Sequence, residues 1–305
     1  MADGSRHGLR YIAESTYGTT PATPTFTPLR HTSCSLGLSK NSSESGELNP
    51  SRQIQDLRHG AYQVGGEIGF ELSTTTFDDM LEAVLGGTWS GDELKAGQTR
   101  RSFTFERYFA DIAPADKPFH RFTGCELNTM SLNVQPDSRV TGSFGVIGQN
   151  MLTDTAIITG SSVNADTTTA GVDSFSGTLQ EGGSSIGVVT EISLNITNNL
   201  NPRFIIGSKQ TARPSQGQII VSGQIGVFFE NSDMLDKFIN ETESSIEFSL
   251  PDPAGNDLNF LLPKVKYSGG QPDVSGPGEI ILTMPFQALY DATEASNITI
   301  TRTNV

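Results

Sequence analysis

The feature that most constrains this 305-residue chain is an ordered internal repeat. Residues 32–38 read TSCSLGL and residues 190–196 read TEISLNI. Leu48-Asn49-Pro50 recurs as Leu200-Asn201-Pro202. VGGEIGF at 64–70 recurs as VSGQIGV at 221–227, and DMLEAVL at 79–85 as DMLDKFI at 233–239. SFTF at 102–105 is matched by SIEF at 245–248, and Gln135-Pro136-Asp137 by Gln271-Pro272-Asp273. Any one match is within chance. The shared order calls for two copies of one unit, and period-finding precedes any other reading of such a chain. The first unit is expected over 25–151 and the second over 184–305. Residues 1–24 are left as an N-terminal arm. The Thr-, Ser- and Gly-rich stretch 152–183 is left as a linker with room for one hairpin.

Each copy reads as strands around one short helix. Over 62–72, Tyr62, Val64, Ile68, Phe70 and Leu72 alternate with Gln63, Glu67 and Glu71, the period of a half-buried strand. The matching run places Ile219, Val221, Ile225, Val227 and Phe229 on one face, with Gly223 standing where Gly66 does. Ile220 and Phe228 fall on its other face, so this strand is a candidate for cover on both sides. Phe77, Met80, Leu81, Val84 and Leu85 then form a helical stripe, expected to be capped by Thr76 and ended by Gly86-Gly87. Met234, Leu235, Phe238 and Ile239 repeat the stripe, with Asn231 or Ser232 as cap. The fold class is all-β with small α content: two duplicated β-sandwich or barrel units, each with one flanking short helix.

Composition narrows the function. Charged residues are only 18% and the net charge is −14, which disfavours tight binding to a phosphate backbone. Solubility alone accounts for such a charge. An acidic wall also suits a conduit that must not hold DNA. Cys34 and Cys125 lack metal spacing and read as small apolar residues of strands, with a disulfide as the alternative. Residues 1–18 contain no apolar stretch of the signal-peptide kind, and no run of 18 apolar residues occurs.

Chemistry motifs are weak. Gly183-Ser184-Ser185-Ile186-Gly187 matches a nucleophile-elbow pattern, but it follows a Gly/Ser stretch and precedes a strand rather than a helix. His7, His31, His59 and His120 are scattered, so no metal site is expected. Residues 252–257, DPAGND, lack the ligand spacing of a calcium loop and read as a hairpin turn. Trp89, Phe103, Phe105, Tyr108 and Phe109 have no clustered cations beside them and read as core or interface. No catalytic residue and no cofactor is expected. The long polar connections 39–60 and 197–217 call for a role. The second carries Arg203, Lys209 and Arg213 without an acid, which fits either a contact with an acidic neighbour or a solvated loop.

Taken in order, the segments resemble the tail tube proteins of long-tailed bacteriophages. The resemblance is carried by RYIAESTYGTTP (10–21), LRHTSCSL, SRQ (51–53), VGGEIGFEL and FDDMLEAVLGGTW (77–89). It continues through VSGQIGVFF (221–229), SIEFSLPDPAGNDL (245–258), LLPKVKY (261–267) and PFQALYD (285–291). It implies tail-tube-type units that assemble in the host cytoplasm into rings. The rings stack around a tape-measure protein, between a terminator and a baseplate, and double-stranded DNA passes through without specific binding. Such tubes usually present six units per ring. Two units per chain then give a ring of three chains, or six chains if one unit reaches the lumen. Glu67 and Glu71, with Gln224 and Glu230, are the candidates to line the lumen; ordinary exterior residues are the alternative. Arg52, Arg58, Arg203, Lys209 and Arg213 are the candidates for contacts between rings. The rival readings are a tail terminator or baseplate ring protein, a non-viral β-sandwich binding module, and a hydrolase using Ser185.

Overall fold

The structure, a computed structural model, describes residues 2–303 apart from 175–176, 187–188, 273 and 275. The chain begins with β1 (His7–Ala13), β2 (Thr25–Pro28), β3 (Ser33–Cys34), β4 (Gly37–Glu44) and β5 (Leu57–Glu71). Next come α1 (Asp78–Leu85), β6 (Glu93–Lys95), β7 (Phe103–Phe109), β8 (Phe119–Val134), β9 (Thr141–Gly148) and β10 (Asn150–Asp154). A connection holds β11 (Ser162–Val163) and leads to β12 (Thr178–Glu181), β13 (Ser184–Ser185) and β14 (Val189–Thr197). The remainder is β15 (Asn201–Arg203), β16 (Ala212–Ser215), β17 (Ile220–Phe228), α2 (Asp233–Ile239), β18 (Ser244–Pro251), β19 (Asp257–Tyr267), β20 (Ile281–Ala288) and β21 (Thr299–Thr303). The protein is all-β, with two short α-helices among the described residues.

Long strands organise the pairing. The first part of β8 lies between β7 and β10, and its second part between β9 and β14. β19 repeats this: β18 and β21 flank its first part, and β20 takes one side of its second. The order β1–β7–β8–β10 thus reappears as β12–β18–β19–β21. The order β4–β5–β9–β8 reappears as β14–β17–β20–β19. The registers agree as well. Val64 lies opposite Leu38 and Gly148, as Val221 lies opposite Ile196 and Ala288.

Two matched glycines explain how the strands come so close. A Cβ on Gly66 would sit 2.6 Å from the Ser35 carbonyl oxygen, and one on Gly223 would sit 2.0 Å from that of Ser193. Any other residue would push the neighbouring backbone away.

The two halves meet edge to edge. β14 pairs antiparallel with β8 from Ile192 opposite Val134 to Thr197 opposite Thr129. One sheet therefore runs β4–β5–β9–β8–β14–β17–β20. Its inner face packs a core that includes Ile68, Phe70, Phe144, Leu132, Leu194, Ile225 and Phe286. Phe70 stacks on Phe144 with ring centroids 4.4 Å apart, and Phe248 on Phe260 at 5.0 Å. Such pairs contribute about 0.5–1.5 kcal/mol beyond their burial.

Several local expectations change. His7–Ala13, placed in an arm by the sequence, is a strand paired along its whole length with β7. The stretch 152–183 is woven into the sheets: β11 pairs parallel with β2, and β12 pairs with β18. Thr76 does not cap α1, because its hydroxyl is held by Ser73, Thr167 and Thr169. Phe77 stands at that position without a side-chain cap bond, while Gly86 ends the helix in the left-handed conformation at φ 63°. At α2 the Asn231 Oδ1 accepts the Asp233 N–H at 2.9 Å.

Candidate functional site

Because side chains alternate along strands, the face of the long sheet opposite the core collects one residue in two from every strand. β8 supplies Thr129, Ser131 and Asn133, and β14 supplies Ser193, Asn195 and Thr197. β9 adds Thr141, Ser143 and Gly145, and β17 adds Ser222 and Gln224. Ser131 and Ser143 hydrogen-bond across the strands at 2.9 Å. The middle of this face, over β9, β8 and β14, is small, neutral and polar, while exposed apolar side chains stand at its β17 and β20 margin, among them Ile281 opposite Phe228.

The ionic groups on this face are few. Glu67 is exposed opposite Gly145. Glu71 accepts a bond from Arg139 at 2.7 Å, and Glu191 accepts one from Gln224 at 3.1 Å. Three of the four proposed lumen residues, Glu67, Glu71 and Gln224, therefore share one continuous surface. Glu230 does not lie on the strand, which ends at Phe228; it lies in the connection before α2. Ile220 and Phe228 are not covered on both sides: they stand exposed at opposite ends of β17 on this same face.

The seam between β8 and β14 is sealed by polar groups. The Asn198 side chain is buried and donates to the carbonyls of Val84 at 2.8 Å and Leu127 at 3.1 Å. Asn128 accepts from the Leu200 N–H at 2.8 Å through its side chain. The buried Glu126 carboxylate takes Arg213 at 2.7 Å on one oxygen and Arg100 on the other. A buried carboxylate with two cations is satisfied, and removing either cation leaves it exposed to desolvation.

Comparison with known families decides what this architecture belongs to. A family model described as phage tail tube protein matches residues 4–288. The chain belongs to the phage tail tube protein family. No individually curated protein matches its sequence. Membership makes it a structural component of a phage tail.

The two arms of this tail tube protein are hairpins. β4 and β5 extend beyond the body around the turn 45–56, and β15–β16 form a second, two-stranded hairpin. They touch where the Tyr62 N–H donates to the Lys209 carbonyl at 2.8 Å. Their tips present Leu48, Ile54 and Leu57, and Phe204, Ile205 and Ile206, to solvent. The five basic residues expected on these arms separate into two kinds. Arg52, Arg203 and Lys209 are exposed, and Arg58 is exposed beside Asp56 at 3.0 Å. Arg213 instead pairs with the buried Glu126 and lies over the Tyr17 ring.

Other groups fall in unexpected places. His7 Nδ1 lies 2.7 Å from His31 Nε2, and Arg107 donates to His7 at 2.9 Å, so histidines far apart in sequence form a pair. Burial, then the charges of Arg107, His31 and His120, lowers the His7 pKa to about 4. Cys34 is a half-buried free thiol and Cys125 a buried one. Ser184 and Ser185 form β13 against β12 and do not turn into a helix; Gly187 of that motif lies outside the described residues. Residues 252–257 are the β18–β19 turn. Burial works to raise the Asp252 pKa there, but bonds from Asn256, Ala254 and Thr74 outweigh it and hold it below the usual carboxylate range. The sequence alone does not mark the polar row of β8 and β14 as one surface. Its signal is the alternation in TMSLNV and EISLNIT, which becomes informative once those strands are known to be neighbours.

Proposed function

We propose that this chain polymerises as stacked rings into the tail tube and that the neutral polar face of its long sheet lines the bore. The observation that carries the reading is the single sheet running through both halves, with one face small, polar and nearly free of cations. A duplex sliding along such a wall meets Ser, Thr, Asn and Gln, plus a few carboxylates. It meets almost no Lys or Arg to displace its counterions. Glu67, Glu71 and Gln224 belong to this wall. The two halves act as two copies of one ring unit, so three chains complete a ring of six units. The arms 45–56 and 201–215, with Arg52, Arg58, Arg203 and Lys209 and the apolar tips, contact the adjacent ring. Tape-measure, terminator and baseplate proteins are the remaining partners, and assembly takes place in the host cytoplasm. The role is structural and no catalysis is assigned.

Electron microscopy of the concentrated, purified protein tests this. Long hollow tubes are expected. Single rings favour a terminator or baseplate role, and persistent monomers favour a binding module. A second measurement addresses the wall. Replacing Ser131, Ser143 and Asn195 together by Lys is expected to leave tubes intact and to make them retain duplex DNA at low salt. Unchanged DNA retention would remove this face from the bore.

A further inference from the structure

We infer that His7, His31 and Arg107 form an acid-operated latch that clips the β2–β3 connection and the start of β4 onto β1 and β7. Arg107 Nε lies 2.9 Å from His7 Nε2, His7 Nδ1 lies 2.7 Å from His31 Nε2, and His31 Nδ1 lies 3.0 Å from the Leu29 carbonyl. Chemistry fixes every proton in this chain of contacts. A carbonyl only accepts, so His31 Nδ1 carries a hydrogen. A guanidinium only donates, so His7 Nε2 carries a lone pair. A neutral imidazole has one N–H, which leaves His7 Nδ1 to donate to His31 Nε2. Three bonds thus run in one direction, from Arg107 through both rings to Leu29, and each ring's outer partner sets its tautomer.

An added proton cannot enter without breaking this order. On His7 Nε2 it faces the Arg107 N–H. On His31 Nε2 it faces the His7 N–H, and if His7 then moves its hydrogen to Nε2, that hydrogen again faces Arg107. The surroundings also favour the neutral pair. His7 meets the His31 ring edge-on at 4.9 Å and the Phe109 ring at 5.1 Å. Arg107 of β7 lies over Phe109, and His120 of β8 packs on the same ring at 4.9 Å. On β1, Arg10 is paired with Glu106, and Arg6, just before it, with Asp111. Arg30 of the β2–β3 connection donates to the Thr169 carbonyl, and Cys34 of β3 lies in the field of Arg107. Asp166 is the one carboxylate lining the open cavity of about 520 Å³ beside the pair, whose other polar walls include Arg10, Arg30 and Tyr108. Burial first, then the charges of Arg107, His31 and His120, bring the His7 pKa down to about 4.

What the latch holds is local. Within 29–36 only Ser33 and Cys34 belong to a strand. The Leu29, Thr32 and Ser35 N–H groups donate to the carbonyls of Leu9, Gly69 and Glu67 at 2.8, 2.8 and 2.9 Å. Arg107 adds a bond to the Leu36 carbonyl at 2.9 Å, so the guanidinium that His7 would expel also pins the chain just before β4. A stretch with so few bonds opens without the body. Once it opens, His7 returns to its ordinary pKa of 6.5 from about 4, so the opened form binds the proton and the closed form does not. Closure is therefore complete above about 6.5 and is lost as the pH falls toward 4. Between about pH 7.5 and about pH 5.5 the opened fraction rises by about tenfold.

Amide hydrogen exchange of the purified chain at the two pH values, corrected for intrinsic rates, tests this. Exchange at Leu29, Thr32 and Ser35 is expected to rise by about tenfold at the lower pH, while the β14 amides of 192–197 stay unchanged. No rise, or an equal rise in both segments, overturns the latch. The double variant His7→Gln, His31→Gln supplies the control. A glutamine accepts through its carbonyl and donates through its amide, so the pair can keep all three bonds in the same direction without titrating. It should match the parent at the higher pH and change by less than about twofold at the lower one. A variant that still responds about tenfold overturns the assignment to this pair. Should the variant not fold, histidine-selective ¹⁵N NMR of the unaltered chain decides. At neutral pH, both His7 and His31 should carry their hydrogen on Nδ1, and either ring found as the Nε2–H form or charged overturns the latch.

Discussion

The helices α1 and α2 come from matched sequence, DMLEAVL and DMLDKFI, yet they end in different surroundings. All five apolar residues of the first stripe are buried, and the helix packs on β8 and β14. The second stripe is only half covered. The sequences differ little in apolar content, so the difference is one of position. α1 sits beside a seam that the chain fills with its own second half, whereas α2 packs on β19, where among the described residues no strand pairs beyond Val265 on the side away from β20. Under the tube assembly proposed above, that half-covered apolar face is where another chain belongs.

The comparison can be broken first in the core. Phe144→Ala is expected to cost about 3–5 kcal/mol and Met284→Ala, its counterpart on β20, about 2–5 kcal/mol. Urea denaturation should show both as shifts of one shared transition, because β8 and β14 join the halves. Two separate transitions would mean that the halves are independent. Next come the helices. Leu81→Ala is expected to lose about 2–5 kcal/mol in the monomer. Leu235→Ala should lose less than half of that, with its larger effect on the concentration at which tubes form. Equal losses in the monomer would erase the distinction between filled and open seams.

Smaller effects sharpen it. Glu126→Gln is expected to destabilise the monomer by about 1–3 kcal/mol, since Arg100 and Arg213 lose a buried acceptor. Lys266→Gln should stay within about 0.5 kcal/mol, as for any surface change. The smallest effect concerns acid. All four histidines lie in the first half. His7 is held neutral by burial and by Arg107, with a folded pKa of about 4 against an ordinary 6.5. Between those values the unfolded chain binds the extra proton, so stability falls as pH drops from about 6.5 toward 4. Equilibrium unfolding across that range should show the loss, and His7→Gln should flatten it.

Much of this was legible in the residues. The alternation of 62–72 and 219–229, both helical stripes and the 252–257 turn are local patterns, and local patterns survive into structure. The family was legible because its segments occur in order along the chain. What escaped was non-local. β1 is short and sits between Gly- and Thr-rich stretches, and only its pairing with Phe103–Phe109 makes it a strand of the body. β12 hides in a Ser/Gly stretch for the same reason. Arg213 reads as a free cation of a basic arm because its acceptor, Glu126, is 87 residues away. Glu230 reads as strand because alternation does not register where β17 stops. The polar wall depends on β8 changing partners along its length, and no periodicity within β8 encodes which strand lies beside it.

A cryo-electron microscopy reconstruction of the assembled protein tests the central claim most directly. It should show a hollow tube in which Ser131, Asn195 and Gln224 face the bore, with each chain contributing two successive steps of the inner sheet. A map that places those residues on the outer wall, or in which only one half of each chain reaches the inner sheet, would contradict the account.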